Sequence, residues 1–302
     1  PSGVGRYVRS LLPELQALAG VEIEETGRPR AKRHDVFHAP CMRNALLRSP
    51  VPMVVTLHDL IPLKRRGELM RTGLGMRMQR LAVQRAVRVI VPSAVVAADA
   101  AERLDVAPDR ITVIPEAAAA VLHQRSDEEV AAVRARHRLP ERYLLWVGSL
   151  ERHDPRKRVA AMADAARRTP LVLAGPAGRW ARELEDVILT GEVSDDDLAA
   201  IYTGAQALVF PSEDEGFGLP AVEALACGTP VVACDIPALR EVLGDRATFV
   251  PADDLEALLA AGEAATRPAP PPPAFTWADA AAATLDVYED AAKRRTPASP
   301  RH

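Results

Sequence analysis

Two glutamates bracket a short run of glycine and proline in the stretch 210–235, FPSEDEGFGLPAVEALACGTPVVACD. Glu215 stands just before Gly-Phe-Gly-Leu-Pro, and seven residues separate it from Glu223. Carboxylates accept hydrogen bonds from hydroxyls, so a spaced pair suits a sugar or a ribose. Gly216 and Gly218 have no side chain to keep a ligand from the backbone. Leu219-Pro220 opens a helix, where proline is tolerated because its missing N–H has no helical partner. The free N–H groups and positive end of that helix suit phosphate. Leu219 and Glu223 are four residues apart and project to one helix face. The constellation suggests a nucleoside diphosphate-sugar, with one acid for each sugar ring and amides for the diphosphate. The plain alternative is a solvated acidic loop followed by a surface glutamate, and the intervening Gly-Phe-Gly-Leu-Pro argues against it.

The elements that must carry these residues are legible as alternating patterns. Nearly continuous apolar runs at 51–59, 88–93, 111–116, 143–149, 170–176, 207–212 and 229–235 read as buried parallel strands. Ala- and Arg-rich helical stretches lie between them at 76–87, 94–104, 157–168, 195–203 and 219–227. Strands alternating with helices predict α/β architecture with parallel sheets. The helix 219–227 stops at Gly228, a natural residue to end it. Its preceding loop then lies at the carboxyl end of a strand, where open α/β sheets bind ligands. The stretch 117–142 lacks strand character, which predicts a domain boundary near 120–142. The run PAPPPPA at 268–274 reads as a stiff spacer, with a Pro-recognition ligand as the alternative. FTWADAAAATLDVYEDAAKR then reads as a closing helix.

Bulk properties narrow the function classes. The chain has 302 residues, which suggests two domains at about 100–200 residues each. A net charge of -3 carries no basic footprint, so no nucleic-acid partner is expected. Three cysteines, Cys41, Cys227 and Cys234, make no disulfide framework. Cys227 and Cys234 read as buried thiols. No apolar run reaches the roughly 18–20 residues of a membrane span, and no secretory leader is visible. The expected location is cytoplasmic, with peripheral contact at the inner face of the membrane as a further option. The basic stretch MRTGLGMRMQR at 70–80 could touch anionic lipid, or be a plain solvated helix.

The segment EGFGLPAVEALACGTPVVA resembles the E-x7-E signature of retaining glycosyltransferases of family GT4, which have the GT-B fold. VGSLERHDPRKR, LVLAGP and GEVSDDDLAAIYTGAQALVFPS resemble the accompanying segments of the second domain. VVTLHDLIP, RVIVPSAVVAADAAERLDVAPDRITVIPE and SGVGRYVRSLLPEL resemble those of the first, and FTWADAAAATLDVY the closing helix. The resemblance implies two Rossmann-like domains with parallel sheets facing across a cleft. Residues 1–140 would shape the acceptor site, and residues 141–302 would hold the donor, with the closing helix packing back on the N-terminal domain. Residues 20–35 form a shorter segment than the family's and IPEAAA replaces its usual Asn-Gly turn, so the N-terminal domain is read as incomplete, with loops missing from this chain, or as reduced.

By the same resemblance, Glu215 would bind the donor sugar and Glu223 the ribose. The amides of Gly216, Phe217, Gly218 and Leu219 would face sugar and phosphate. Ser149 lies in the phosphate-binding strand–loop. Arg156 and Lys157 would neutralise the diphosphate, whose charge grows as it leaves. Gly3-Val4-Gly5 would offer backbone N–H groups to the phosphates from the other domain, with Ser2 as a helix cap or simply a loop residue. His58 would reach the donor sugar across the cleft, and Val193 would meet the nucleobase through its backbone. No metal and no cofactor is expected beyond the GDP- or UDP-type co-substrate. The acidic triplets Asp195–Asp197 and Glu213–Glu215 read as helix caps and solvated faces.

The implied activity is transfer of a hexose, with retention, to a hydroxyl acceptor: a lipid-linked sugar, a polysaccharide or a small molecule. The HDLIP and EGFGLP variants lean toward GDP-mannose. A non-catalytic nucleotide-sugar sensor and a GT-B epimerase or phosphorylase remain as alternatives. A dinucleotide oxidoreductase would need a third glycine after Gly3 and Gly5, which is lacking.

Overall fold

The computed structural model describes residues 3–60, 73–165 and 167–294. It contains two parallel sheets. The first joins β1 (Phe37–Ala39), β2 (Met53–Thr56), β3 (Arg88–Val91) and β4 (Ile111–Val113) in sequential order. The second joins β5 (Leu144–Val147), β6 (Leu171–Ala174), β7 (Val187–Gly191), β8 (Ala207–Phe210), β9 (Val231–Cys234) and β10 (Ala247–Val250) in the order β10-β9-β8-β5-β6-β7. All pairings are parallel. The seven apolar runs predicted as strands are β2 to β6, β8 and β9. β1, β7 and β10 were not foreseen: β1 is only three residues long, and every residue of β7 is only half-buried.

Among the described residues the helices are α1 (Gly3–Ala17), α2 (Gly73–Gln84), α3 (Ala94–Leu104), α4 (Asp127–His137), α5 (Val159–Asp164), α6 (Asp195–Gly204), α7 (Leu219–Ala226), α8 (Pro237–Leu243), α9 (Leu255–Ala264) and α10 (Trp277–Lys293). The helix expected over 157–168 is shorter and starts later. Pro155–Lys157 form a 3-10 turn, and Arg158 in the left-handed region (φ 49°) separates that turn from α5. Ser2, expected as a cap, lies outside the described residues.

The chain divides into two compact units: Ala117–Phe275 with residues 3–6, and Tyr7–Glu116 with Thr276 onward. The break falls at Glu116/Ala117, not at 140/141. α4 explains the difference, since Val130 and Val133 are buried in one cluster with Leu198, Ile201 and Tyr202 of α6. The closing helix α10 groups with the first sheet. There Tyr288 Oη lies 2.6 Å from His38 Nδ1, and Arg88 Nε lies 2.6 Å from Asp290 Oδ2. Residues 3–6 group with the second sheet, whereas they were expected in the N-terminal domain. No helix among the described residues is long and apolar enough to cross a membrane.

Candidate functional site

In the second sheet β5 has β6 on one side and β8 on the other. β6 follows β5 in sequence and β8 does not, so the loops after β5 and β8 leave the sheet edge at a topological switch point. Such a point opens a crevice at the carboxyl ends of the strands. Ser149 and the Arg156-Lys157 turn lie on the first of these loops. Glu215 and Gly216–Gly218 lie on the second.

The two loops are tied together. The Glu213 amide donates to the Arg156 carbonyl at 3.0 Å, and Arg158 Nε lies 3.5 Å from Glu213 Oε1. Arg156 is half-buried, and its guanidinium holds both oxygens of Asp154, Nε at 2.9 Å and Nη2 at 2.5 Å. Lys157 Nζ sits 5.6 Å from the Trp146 ring centroid, a cation–π distance. Ser149 Oγ lies 3.4 Å from Glu151 Oε2.

Gly218 caps α7 with φ +87°, a conformation that side chains resist, and a Cβ there would meet Leu239 Cδ2 at 2.3 Å. That turn swings the chain from the half-buried Glu215 into a helix whose first N–H groups lack helical acceptors. Pro220 at the start of α7 removes a donor that the helix could not use. Phe217 and Leu219 are buried in the core beneath the turn, which fixes the direction of the amides.

Glu223 is 2% exposed, so the notion of a surface helix glutamate is ruled out. Tyr202 Oη donates to its Oε2 at 2.9 Å, and Arg6 Nε lies 3.1 Å from its Oε1. Arg6 also donates from Nη2 to Asp195 Oδ1 at 3.0 Å. A charge in the interior persists only when so paired. Burial alone would lower the Arg6 pKa, but Glu223 and Asp195 more than offset it and the pKa is raised. Burial, and then the charge of Glu223, push the Tyr202 hydroxyl well above its ordinary value, so it stays a donor.

Arg6 also brings the glycine segment to the site. Gly3, Val4 and Gly5 form the first turn of α1. Val193 is half-buried between β7 and Ser194, which caps α6 by accepting from the Asp197 amide. The acidic triplet at the start of α6 pairs with basic side chains: Asp195 with Arg6, Asp196 with Arg125 at 2.7 Å, and Asp197 with Arg136 at 2.5 Å and His137 at 2.8 Å. Among the described residues no group of three or more His, Cys, Asp and Glu could hold a metal ion. Cys227 and Cys234 are buried thiols, pushed up to about 12 and about 11 chiefly by burial.

His58 belongs to the other unit, just past β2. Its Nδ1 lies 2.7 Å from Glu116 Oε1 and its Nε2 lies 2.9 Å from the Pro40 carbonyl. A carboxylate and a carbonyl can only accept, so both ring nitrogens donate and the ring is an imidazolium. Burial pulls its pKa down, but the Glu116 hydrogen bond and charge and the Pro40 carbonyl outweigh that, and it ends raised. Tyr7 packs edge-on against the ring at 4.6 Å. In this arrangement His58 has no lone pair with which to act as a base.

Sequence reasoning missed Arg6, Tyr202 and Glu116. Arg6 had one signal, a cation directly after Gly-Val-Gly. Glu116 ended the apolar run ITVIPE, where an acid is conspicuous. Tyr202 gave none, since an aromatic on an apolar helix face reads as core.

Residues 141–265 match a family described as glycosyl transferases group 1, and residues 28–118 match glycosyltransferase family 4. A serotype-specific mannosyltransferase WbdA of Escherichia coli is 32% identical over 231 residues, covering 68% of this chain and 28% of that protein. The chain thus spans less than a third of the length of the WbdA relatives. The MMP alpha-(1->4)-mannosyltransferase of Mycolicibacterium hassiacum is 30% identical over 295 residues, covering 86% of this chain and 71% of that one. Among solved structures, Alr3699/HepE of Anabaena in complex with UDP-glucose superposes with a TM-score of 0.64 at 17% identity, covering 86% of this chain and 78% of that one. That likeness carries the fold, and the GT-B fold expected from the sequence is the one found. The chain belongs to glycosyltransferase family 4.

Proposed function

We propose that this chain transfers a hexose from a nucleoside diphosphate-sugar to a hydroxyl acceptor, with retention of anomeric configuration and without a metal ion. The observation that carries the reading is the joining of the loops after β5 and β8 through the Glu213 amide and the Arg156 carbonyl. It gathers Arg156, Lys157, Glu215, the amides of Gly216–Leu219 and the buried Glu223 on one sheet edge.

Glu215 would accept from donor-sugar hydroxyls and Glu223 from the ribose. The carbon–oxygen bond from the anomeric carbon to the diphosphate breaks as the acceptor oxygen attacks the same face. The acceptor proton passes to the departing phosphate. Arg156, Lys157 and the start of α7 stabilise the charge that grows there, which is the task a metal ion would otherwise perform. Relatives named as mannosyltransferases favour mannose as the sugar. The acceptor is a lipid-linked sugar, a polysaccharide or a small molecule. Peripheral attachment to anionic lipid is part of the reading. It is supported by Leu74, Met78 and Leu81, exposed on one face of α2, with the exposed Arg77 beside them.

Titration with UDP-, GDP-, ADP- and dTDP-sugars tests the donor by thermal shift and by slow hydrolysis in the absence of acceptor. GDP-mannose should give the largest shift and be hydrolysed in the presence of a chelator, and Glu215→Ala should abolish hydrolysis. Binding without turnover for every sugar would instead favour a sensor, and no binding at all would sink the donor site.

A further inference from the structure

Arg6 is 9% exposed, and its three guanidinium nitrogens have unequal surroundings. Nη2 donates to Asp195, and Nε meets Glu223, but Nη1 is buried with no hydrogen-bond partner. A buried N–H without an acceptor is costly and rare in a folded protein. Arginine that serves only to pair two carboxylates commonly spends its fork on them. Here one prong is left over beside a carboxylate that is also buried.

We propose that Arg6 is a ligand-binding residue of the donor site, whose Nη1 donates to the ribose hydroxyl that in turn donates to Glu223. The inference rests on Glu223 being the ribose acceptor. A hydroxyl is at once a donor and an acceptor. One that gives its proton to Glu223 still has lone pairs, and in a buried site these need a donor. Tyr202 is committed to Glu223 Oε2, whereas Arg6 Nη1 is adjacent and unengaged. The pair Arg6–Glu223 therefore reads a hydroxyl from both sides, and an analogue lacking that hydroxyl leaves both groups unsatisfied. Arg6, Asp195, Tyr202 and Glu223 all fall in the same compact unit.

Binding of UDP, GDP and ADP and of their 2′-deoxy counterparts, measured by calorimetry, tests this. The wild type should bind the better ribonucleotide roughly ten- to hundredfold tighter than its 2′-deoxy form, the scale of one charge-assisted hydrogen bond. Arg6→Gln should lose about that factor toward the ribonucleotide and little toward the deoxy form, so that the preference collapses. Arg6→Lys keeps the charge without the fork and should retain part of it, which covers the case of Arg6→Gln failing to fold. Equal weakening toward both forms, or an unchanged preference, would overturn the proposal and reduce Arg6 to a structural clamp. A wild type that binds the diphosphates without any ribose preference would overturn it while leaving the donor reading intact. No binding by the wild type would remove both.

Discussion

At the scale of single residues the site depends on backbone conformation as much as on charge. Gly218→Ala introduces a Cβ at φ +87° and within 2.3 Å of Leu239 Cδ2. Such strain costs about 1–3 kcal/mol. It also turns the Phe217 to Leu219 amides, so nucleotide affinity should fall further than urea-measured stability does. His58 makes a second residue-scale prediction. Its folded pKa lies above the ordinary value of roughly 6.5. The stabilisation it provides is therefore complete below about pH 6.5 and fades as pH rises through the raised folded value. Glu116→Gln leaves burial unopposed by the carboxylate charge, and the stability–pH curve of this variant should lose that descending limb. His38 acts in the opposite sense: burial and then the neighbouring His58 charge drive its pKa to about 3, so its contribution is present above about pH 6.5 and is lost as pH falls below that value.

At the scale of elements, strands were easier to read than helices, and the reason is physical. A strand buried on both faces demands a continuous apolar run, and β5, β6, β8 and β9 each provide one. A helix that buries only two valines does not announce itself, and α4 passed as a linker. Its start signal was present all the same. Ser126 accepts from the Glu129 amide while Glu129 Oε2 accepts from the Ser126 amide, a reciprocal capping box. The strand–loop–helix unit that carries Glu215 and Glu223 was legible because glycine, proline and acid are forced together where a strand turns into a helix. The Arg6 pairing was not, because nothing in local spacing places residue 6 near residue 223. α2 was expected to be either solvated or lipid-facing, and Leu74, Met78 and Leu81 stand exposed on it. Leu74→Gln with Leu81→Gln should sharply reduce flotation with vesicles containing anionic lipid and leave nucleotide binding unchanged. Wild-type flotation should weaken as salt screens Arg77. Equal flotation of the variant and the wild type would dismiss lipid contact through α2.

At the scale of the whole molecule, the units have separate cores. One gathers Val55, Val89, Val91 and Leu104 around the first sheet. The other surrounds the second sheet on both faces, with Tyr143 and Leu208 on one side and Leu144 and Val209 on the other. The chain crosses between units after residue 6, after residue 116 and after residue 275. Sequence length alone suggested two domains, but no local signal marks a helix at the far end of the chain as part of the first sheet's unit. Separate cores predict separate unfolding events. Calorimetry should resolve two transitions, and a saturating nucleoside diphosphate should raise the one belonging to the donor unit. Trp277→Ala removes a buried anchor of α10 that packs against Tyr7. It should lower the other transition by roughly 10 °C, since an aromatic-to-alanine change in a core costs about 3–5 kcal/mol and units of this size shift by about 2–4 °C per kcal/mol. A single transition that moves with both the ligand and the substitution would mean that the two cores unfold as one.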